Sequence, residues 1–225
     1  MFILVQARLN SKRLPGKVLK NCAGKPIIKW TVERLKKTNY DTKIVVITSK
    51  NDSDNPIVDY CKRESINYFR GPLENVAQRY IEAAEYIGCK KFVRISADSP
   101  LIDPNLIDKA IKISQVNDFD LISNILTRTF PKGQSIEIIS LSALKRLVKE
   151  KISFEEKEHV TLGFYNRKKN FKIIDFSNFS TNYSKIQLSV DTHQDFVEIE
   201  SLLRRNKQAI NLGWEELVKI KLNNE

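Results

Sequence analysis

The chain has 225 residues, 41% of them hydrophobic and 29% charged, with a formal net charge of +11. That length holds one large α/β core or at most two small domains, no apolar run reaches the roughly eighteen residues that read as a membrane span, and the apolar stretch at 2–5 lacks the basic preface of a signal peptide. Three cysteines, Cys22, Cys61 and Cys89, are odd in number and widely spread with no C-x-x-C, so they read as buried thiols of a cytoplasmic protein and not as a disulfide frame or zinc site.

Residues 1–6 read as a buried parallel strand, an unbroken apolar run from Met1 to Val5 that ends at Gln6. It empties into Ala7-Arg8-Leu9-Asn10-Ser11-Lys12-Arg13-Leu14-Pro15-Gly16-Lys17, where four cations share a loop with a serine, an asparagine and one glycine. Open α/β sheets bind ligands at the carboxyl ends of their strands, and arginine forks, ammonium groups and free backbone N–H donors suit a polyphosphate there. A solvated basic turn is the plainer alternative. The loop is not a Walker A motif, because Val18 follows Gly16-Lys17 and Ser11 stands where the first glycine belongs. Nor does G-x-G-x-x-G occur among the seven glycines. Between 8 and 37 ten cations face one acid, Glu33. Nucleic acid is one reading of such a patch, but no aromatic RNP strand, zinc-finger spacing or Gly-x-x-Gly clamp accompanies it; a nucleoside triphosphate needs the same charge in less space.

Helical and strand patterns then alternate as βαβ units demand. The spacing predicts a helix over 25–38 with Pro26 at its start, a strand over 43–48, a helix over 55–64 and a short strand over 68–70. A helix over 73–87, a strand over 91–96 and a helix over 104–113 follow. Asp98, just past that last strand, lies on the same rim as the basic loop. It is an ion-pair partner or a ligand for magnesium, which prefers oxygen donors and accepts one or two protein carboxylates with water and phosphate. Asp103 reads as the cap of the helix that starts at Pro104. Further on, a strand over 120–123, a loop over 124–132 holding Arg128, a strand over 134–139 and a helix over 141–149 are expected. The stretch 187–191 reads as a strand ending at Asp191, before a helix capped by Thr192 with Asp195 in its first turn. No repeat or linker divides the chain, so 1–225 is taken as one domain.

Gln6-Ala-Arg-Leu-Asn-Ser-Lys-Arg-Leu-Pro-Gly-Lys17 resembles the opening of the cytidylyltransferases that make CMP-activated sugar acids. These are the CMP-KDO and CMP-acylneuraminate synthetases and the SpsF branch of spore-coat polysaccharide proteins, whose first strand ends in a pattern like Q/P-A-R-x-x-S-x-R-L-P-G-K. The segment around Asp98 is similar to their G-D-x-P-L-I-D-P motif, with Ala97 for the glycine, and Asp191-Thr-His-Gln-Asp-Phe to V/L-D-T-P-E-D-L, with His193 for the proline. The stretch from Thr127 to Ile138 and Glu158-His-Val-Thr resemble P-R-T-F-P-x-G-x-D-V-E-V and R-E-H-V-T of the SpsF branch, with Ser135 replacing the aspartate.

The resemblance implies a single-domain α/β Rossmann-like nucleotide-diphospho-sugar transferase fold. Its sheet is mixed but mostly parallel and flanked by helices, with a small substrate or dimerisation lobe over about 124–185. It implies Mg²⁺-dependent transfer of CMP from CTP to a sugar acid with release of pyrophosphate, in a cytoplasmic homodimer serving surface polysaccharide or glycoconjugate synthesis. Gln6, Ala7, Arg8, Ser11, Arg13 and Lys17 then bind the nucleotide, with Arg70 and Arg79 on the nucleobase side. Asp98 and Asp191 hold the metal, and with Arg13 and Lys17 they form the catalytic set. Arg128, Glu137 and His159 face a small anionic acceptor. Three alternatives stay open: a UTP- or GTP-dependent sugar-phosphate nucleotidyltransferase, a glycosyltransferase (its nearest D-x-D being Asp118-Phe119-Asp120), and a non-enzymatic nucleic-acid-binding module.

Overall fold

Ile3, Leu4 and Val5 are wholly buried because the first strand lies inside a sheet with a parallel neighbour on each side. The computed structural model describes residues 1–178 and 180–223. In chain order the elements are β1 (Phe2–Gln6), β2 (Asn21–Cys22), β3 (Lys25–Pro26), α1 (Ile27–Leu35), β4 (Lys43–Ser49), α2 (Asn55–Arg63), β5 (Asn67–Gly71), α3 (Val76–Tyr86) and β6 (Lys91–Ser96). They continue with α4 (Pro104–Val116), β7 (Leu121–Ser123), β8 (Glu137–Ser140), α5 (Leu141–Lys149), α6 (Phe154–Glu158), α7 (Leu162–Asn166), β9 (Ile173–Asp175), α8 (His193–Arg205) and α9 (Trp214–Leu222).

The main sheet has the order β5-β4-β1-β6-β8-β7-β9. β8 alone runs against its neighbours, so the sheet is mixed but mostly parallel, as the resemblance implied. Because side chains alternate across a strand, β1 feeds two cores. Ile3 and Val5 pack with α1 and α4 residues such as Ile28 and Ile107, while Leu4 packs with Tyr80 and Ala84 of α3 and Leu144 of α5. Truncating such a residue to alanine costs about 2–5 kcal/mol. Gln6 stands in register with Ile47 on one side and Ser96 on the other, so the chain leaves β1 and β6 at one level of one rim.

The first helix is shorter than its periodicity suggests. Ala23 and Gly24 both take positive φ, 53° and 91°, which turns β2 back on β3 and consumes Lys25 and Pro26 in a small hairpin. The helix over 73–87 begins only at Val76, where the Asn75 side chain accepts the Gln78 N–H at 3.0 Å. The strand over 134–139 shifts to Glu137–Ser140. The strand expected over 187–191 joins no ladder of the main sheet; a single bridge links Gln187 to Lys132. β9 and α9 carry no strong pattern in the sequence. The C-terminal part is fastened by Arg34, fully buried in α1, which donates to the carbonyls of Ile102 at 2.5 Å and of Ala209 and Leu212 at 2.7 Å. Burial draws its pKa down to about 10, against the opposing charge of Asp103. Asp103 caps α4 through the Asn105 N–H at 2.8 Å, as expected, and also receives the Trp214 N–H at 2.8 Å.

Candidate active site

The basic loop closes on itself as it leaves β1. The Leu9 carbonyl accepts the N–H of Ser11 at 2.8 Å and of Gly16 at 2.9 Å, and Gly16 takes a left-handed φ of 69° that a side chain would resist. The chain is thereby turned so that Lys17, 7% exposed, points inward. Its ammonium lies 2.5 Å from Asp98 Oδ2, 3.0 Å from Asp191 Oδ1 and 2.8 Å from the Val190 carbonyl. Arg13 Nη2 reaches Asp191 Oδ1 at 3.0 Å from a far more exposed position. The backbone N–H groups of Lys12 and Arg13 find no acceptor among the described residues, and both residues are exposed. Free donors beside two cations form an anion cradle.

Asp191 reaches this point without a sheet strand. The Leu188 N–H donates to the Lys132 carbonyl at 2.8 Å and the Val190 N–H to the Asp98 carbonyl at 2.9 Å, so the segment is stitched directly onto the loops beside β6 and β8. A capping box then starts α8: Asp195 N–H donates to Thr192 Oγ1 at 3.2 Å, and Asp195 Oδ2 accepts the N–H groups of Thr192 at 2.8 Å and Asp191 at 3.0 Å. Burial pushes the Asp191 pKa up, but Lys17, Arg13 and a Gln187 hydrogen bond outweigh it and hold the carboxyl below the ordinary aspartate value.

Asp98 and Asp191 open onto a cavity of about 280 Å³ whose wall also holds Ser96, Ser99, Arg128, Lys132, Gly133, Ser135 and Ser189. Arg128 donates to Ser135 Oγ at 3.3 Å, and burial lowers its pKa against the opposing charge of Glu137. Lys132 and Ser189 went unmarked in the sequence, since Lys132 fills a variable position of its motif and Ser189 precedes one; the folding of 132 against 188 brings them here. Arg8 pairs with Glu158 at 2.5 Å, a carboxylate that the sequence offered only as the neighbour of His159. Gln6 Oε1 accepts the Tyr80 hydroxyl at 3.4 Å, Ala7 is buried at the strand end, and Ser11 is half-buried in the loop.

Four expected site residues stand apart from this cluster. Arg79 is enclosed, with its guanidinium on the carbonyls of Pro72 at 2.8 Å and Leu73 at 2.9 Å; it supports the turn before α3 and presents no surface to a nucleobase. Glu137 is likewise buried, bound by Arg94 at 2.5 Å and the Tyr165 hydroxyl at 2.6 Å. Burial and this carboxylate push the Tyr165 phenol far above its ordinary pKa, so it stays a donor and leaves Glu137 little to offer an acceptor. Arg70 is half-buried and donates to the carbonyls of Ser49 at 2.8 Å and Asn51 at 2.9 Å. His159 is exposed past the end of α6 and does not line the cavity.

A family model described as cytidylyltransferase matches residues 2–220. The chain belongs to the cytidylyltransferase family. It is a nucleotidyltransferase. This cytidylyltransferase is 25% identical to the spore coat polysaccharide biosynthesis protein SpsF of Bacillus subtilis over 98% of the chain and 93% of that protein. Its structure is similar to that of a cytidylyltransferase from Leptospira borgpetersenii, with a TM-score of 0.92 at 29% identity, covering 99% of this chain and 93% of the other. It also shares its fold with a CMP:2-keto-3-deoxy-manno-octonic acid synthetase solved with CTP, with a TM-score of 0.68 at 15% identity, covering 91% and 98% of the two chains. No described helix is long and apolar enough to cross a membrane.

The donor set of this cytidylyltransferase fits magnesium. Two carboxylates, Asp98 and Asp191, converge on one point, occupied here by the Lys17 ammonium. Magnesium is bound that way, by one or two carboxylates with water and substrate phosphate completing the shell.

Proposed function

We propose that the protein transfers CMP from CTP to a small anionic acceptor of the sugar-acid class, with release of pyrophosphate. The observation that carries this reading is the convergence of Lys17, Arg13, Asp98 and Asp191 at the mouth of a cavity that also holds Arg128 and Lys132. The acceptor oxygen attacks the α-phosphorus, a new P–O bond forms, and the bond to the bridging oxygen of the β-phosphate breaks in line. Such a reaction needs positioning and charge neutralisation more than a protein nucleophile.

In this reading the free N–H groups of the loop, Arg8, Ser11 and Arg13 hold the phosphates. Lys17 and Arg13 neutralise the charge gathering on pyrophosphate. Asp98 and Asp191 would hold Mg²⁺, which would supply positive charge to offset the charge developing on the phosphates. Arg128 and Lys132, the cations of the cavity wall, receive the acceptor's negative charge. Cytidine as the nucleoside is supported by the family. A role in polysaccharide synthesis is supported by the whole-length likeness to SpsF.

The test is to incubate the protein with each of CTP, UTP, GTP and ATP, Mg²⁺ and a panel of sugar acids and sugar phosphates, and to measure pyrophosphate. Release with CTP and a sugar acid is expected. Release only with another triphosphate and a sugar phosphate overturns the reading.

A further inference from the structure

Asp54 occupies the N-cap position of α2, yet its side chain caps nothing there. An aspartate at that position ordinarily accepts an N–H of the first helical turn. Asp54 is fully buried, and its carboxylate is spent elsewhere. Oδ1 accepts the Leu9 N–H at 2.8 Å. Oδ2 accepts the Ser49 N–H at 3.2 Å and the Ser49 hydroxyl at 2.5 Å. One carboxylate thus joins the end of β4 to the basic loop, across a gap of 45 residues in the chain.

Leu9 is the pivot of that loop. Its carbonyl takes the N–H groups of Ser11 and Gly16 and closes the ring that aims Lys17 inward. Its N–H is held by Asp54. With both polar groups fixed, the cations on either side of Leu9 leave a backbone that cannot swing freely. The turn that carries Asp54 is braced in its own right. The Asn51 side chain caps the Ser53 N–H at 3.0 Å, Asn10 Nδ2 donates to Ser53 Oγ at 3.1 Å, and Arg70 holds the Ser49 and Asn51 carbonyls. A buried charge that accepts three hydrogen bonds is costly to leave half-satisfied, so the arrangement favours one loop geometry over others.

We infer that Asp54 is a positioning residue for triphosphate binding, acting through the Leu9 amide to hold the 8–17 loop as a preformed anion cradle. The inference rests on the reading of that loop as the triphosphate site. Asp54 touches no substrate; it fixes the donors that do. Preformed donors lose less freedom on binding and therefore bind more tightly.

The experiment compares the wild type with Asp54→Ala and Ser49→Ala by amide hydrogen exchange and by calorimetric titration with CTP. Alanine removes both carboxylate acceptors, whereas an asparagine keeps an amide oxygen for Leu9 and turns its NH₂ to the Ser49 hydroxyl. In Asp54→Ala, exchange at Leu9 should rise at least tenfold and the CTP Kd should weaken at least tenfold, with exchange in β1 and β6 unchanged. Exchange raised in the loop alone is a pattern that general destabilisation would not produce. Ser49→Ala keeps the Leu9 bond and should change the Kd less than threefold. A folded Asp54→Ala with unaltered CTP affinity or unaltered Leu9 exchange overturns the inference. If that variant does not fold, the wild type decides: Leu9 must exchange far more slowly than Lys12 and Arg13, and equal rates overturn the anchor. A wild type that binds no CTP refutes the nucleotide reading, and Leu9 exchange then judges the anchor alone.

Discussion

Gly133 sits against Leu188 so closely that a Cβ on it would come within 2.6 Å of the Leu188 carbonyl carbon and 2.7 Å of the Ser189 nitrogen. Its φ is 95°. Two requirements therefore coincide at one position, a left-handed backbone and the space for another backbone to pass. That passing backbone carries Asp191 to the site. Gly133→Ala should cost about 3 kcal/mol from the strained φ and the overlap together, read by urea denaturation. Pyrophosphate release should fall with it, because the 187–190 segment is displaced. A variant with wild-type stability and turnover would show that the segment is free to shift.

Asp98 and Asp191 share one ammonium and so act as a unit. Asp98→Asn and Asp191→Asn should each lower turnover by about 10²–10³ without unfolding the protein, and the double variant should be hardly worse than either single one. Steady-state pyrophosphate assays with melting curves give both readouts. Losses that multiply in the double variant would mean that the two carboxylates work independently.

Arg13 and Lys17 contact the same oxygen of Asp191 but differ in burial, and their variants should separate. Arg13, 65% exposed in its side chain, should change stability by no more than about 0.5 kcal/mol when replaced by alanine, while turnover drops by orders of magnitude. Arg13→Lys should also be poor, since an ammonium cannot reproduce the planar fork. Lys17→Ala leaves two acids and a carbonyl facing each other and should cost about 2 kcal/mol of stability besides activity. Thermal melts and turnover measured side by side check both claims.

Glu156 anchors α6 and should mark the acid limb of stability. Arg167 reaches its carboxylate at 2.6 Å and the Ser153 N–H donates to it at 2.8 Å. The Arg167 hydrogen bond above all holds its pKa down at about 2, against an ordinary 4.5. A depressed carboxylate stabilises the fold fully above its unfolded pKa and loses that contribution as pH falls through the folded value. Glu156→Gln should therefore melt below the wild type at pH 6, and the gap should close between about pH 4.5 and pH 2. A gap independent of pH would place the effect in packing and not in charge.

The sequence alone determined the strands that carry the chemistry and the rim on which they end. The apolar run of β1 and the run before Asp98 read as buried strands of an α/β sheet, and a loop of four cations at such a strand end suits a polyphosphate. Caps were equally legible: Asp103 and the Thr192–Asp195 box lie where short polar side chains precede helical periodicity, because capping is a local interaction. Tertiary structure decided what depends on contacts between distant segments. The stretch before Asp191 has a strand's composition, but its hydrogen bonds go to Lys132 and Asp98 and not to a sheet edge. Arg79 and Glu137 carry charges that sequence reads as surface or site, and each is buried because a carbonyl pair or an arginine meets it. Asp54 looks like a helix cap and is instead the partner of Leu9. A charged side chain states what it can bind; only the folded chain states which of its possible partners is within 3 Å.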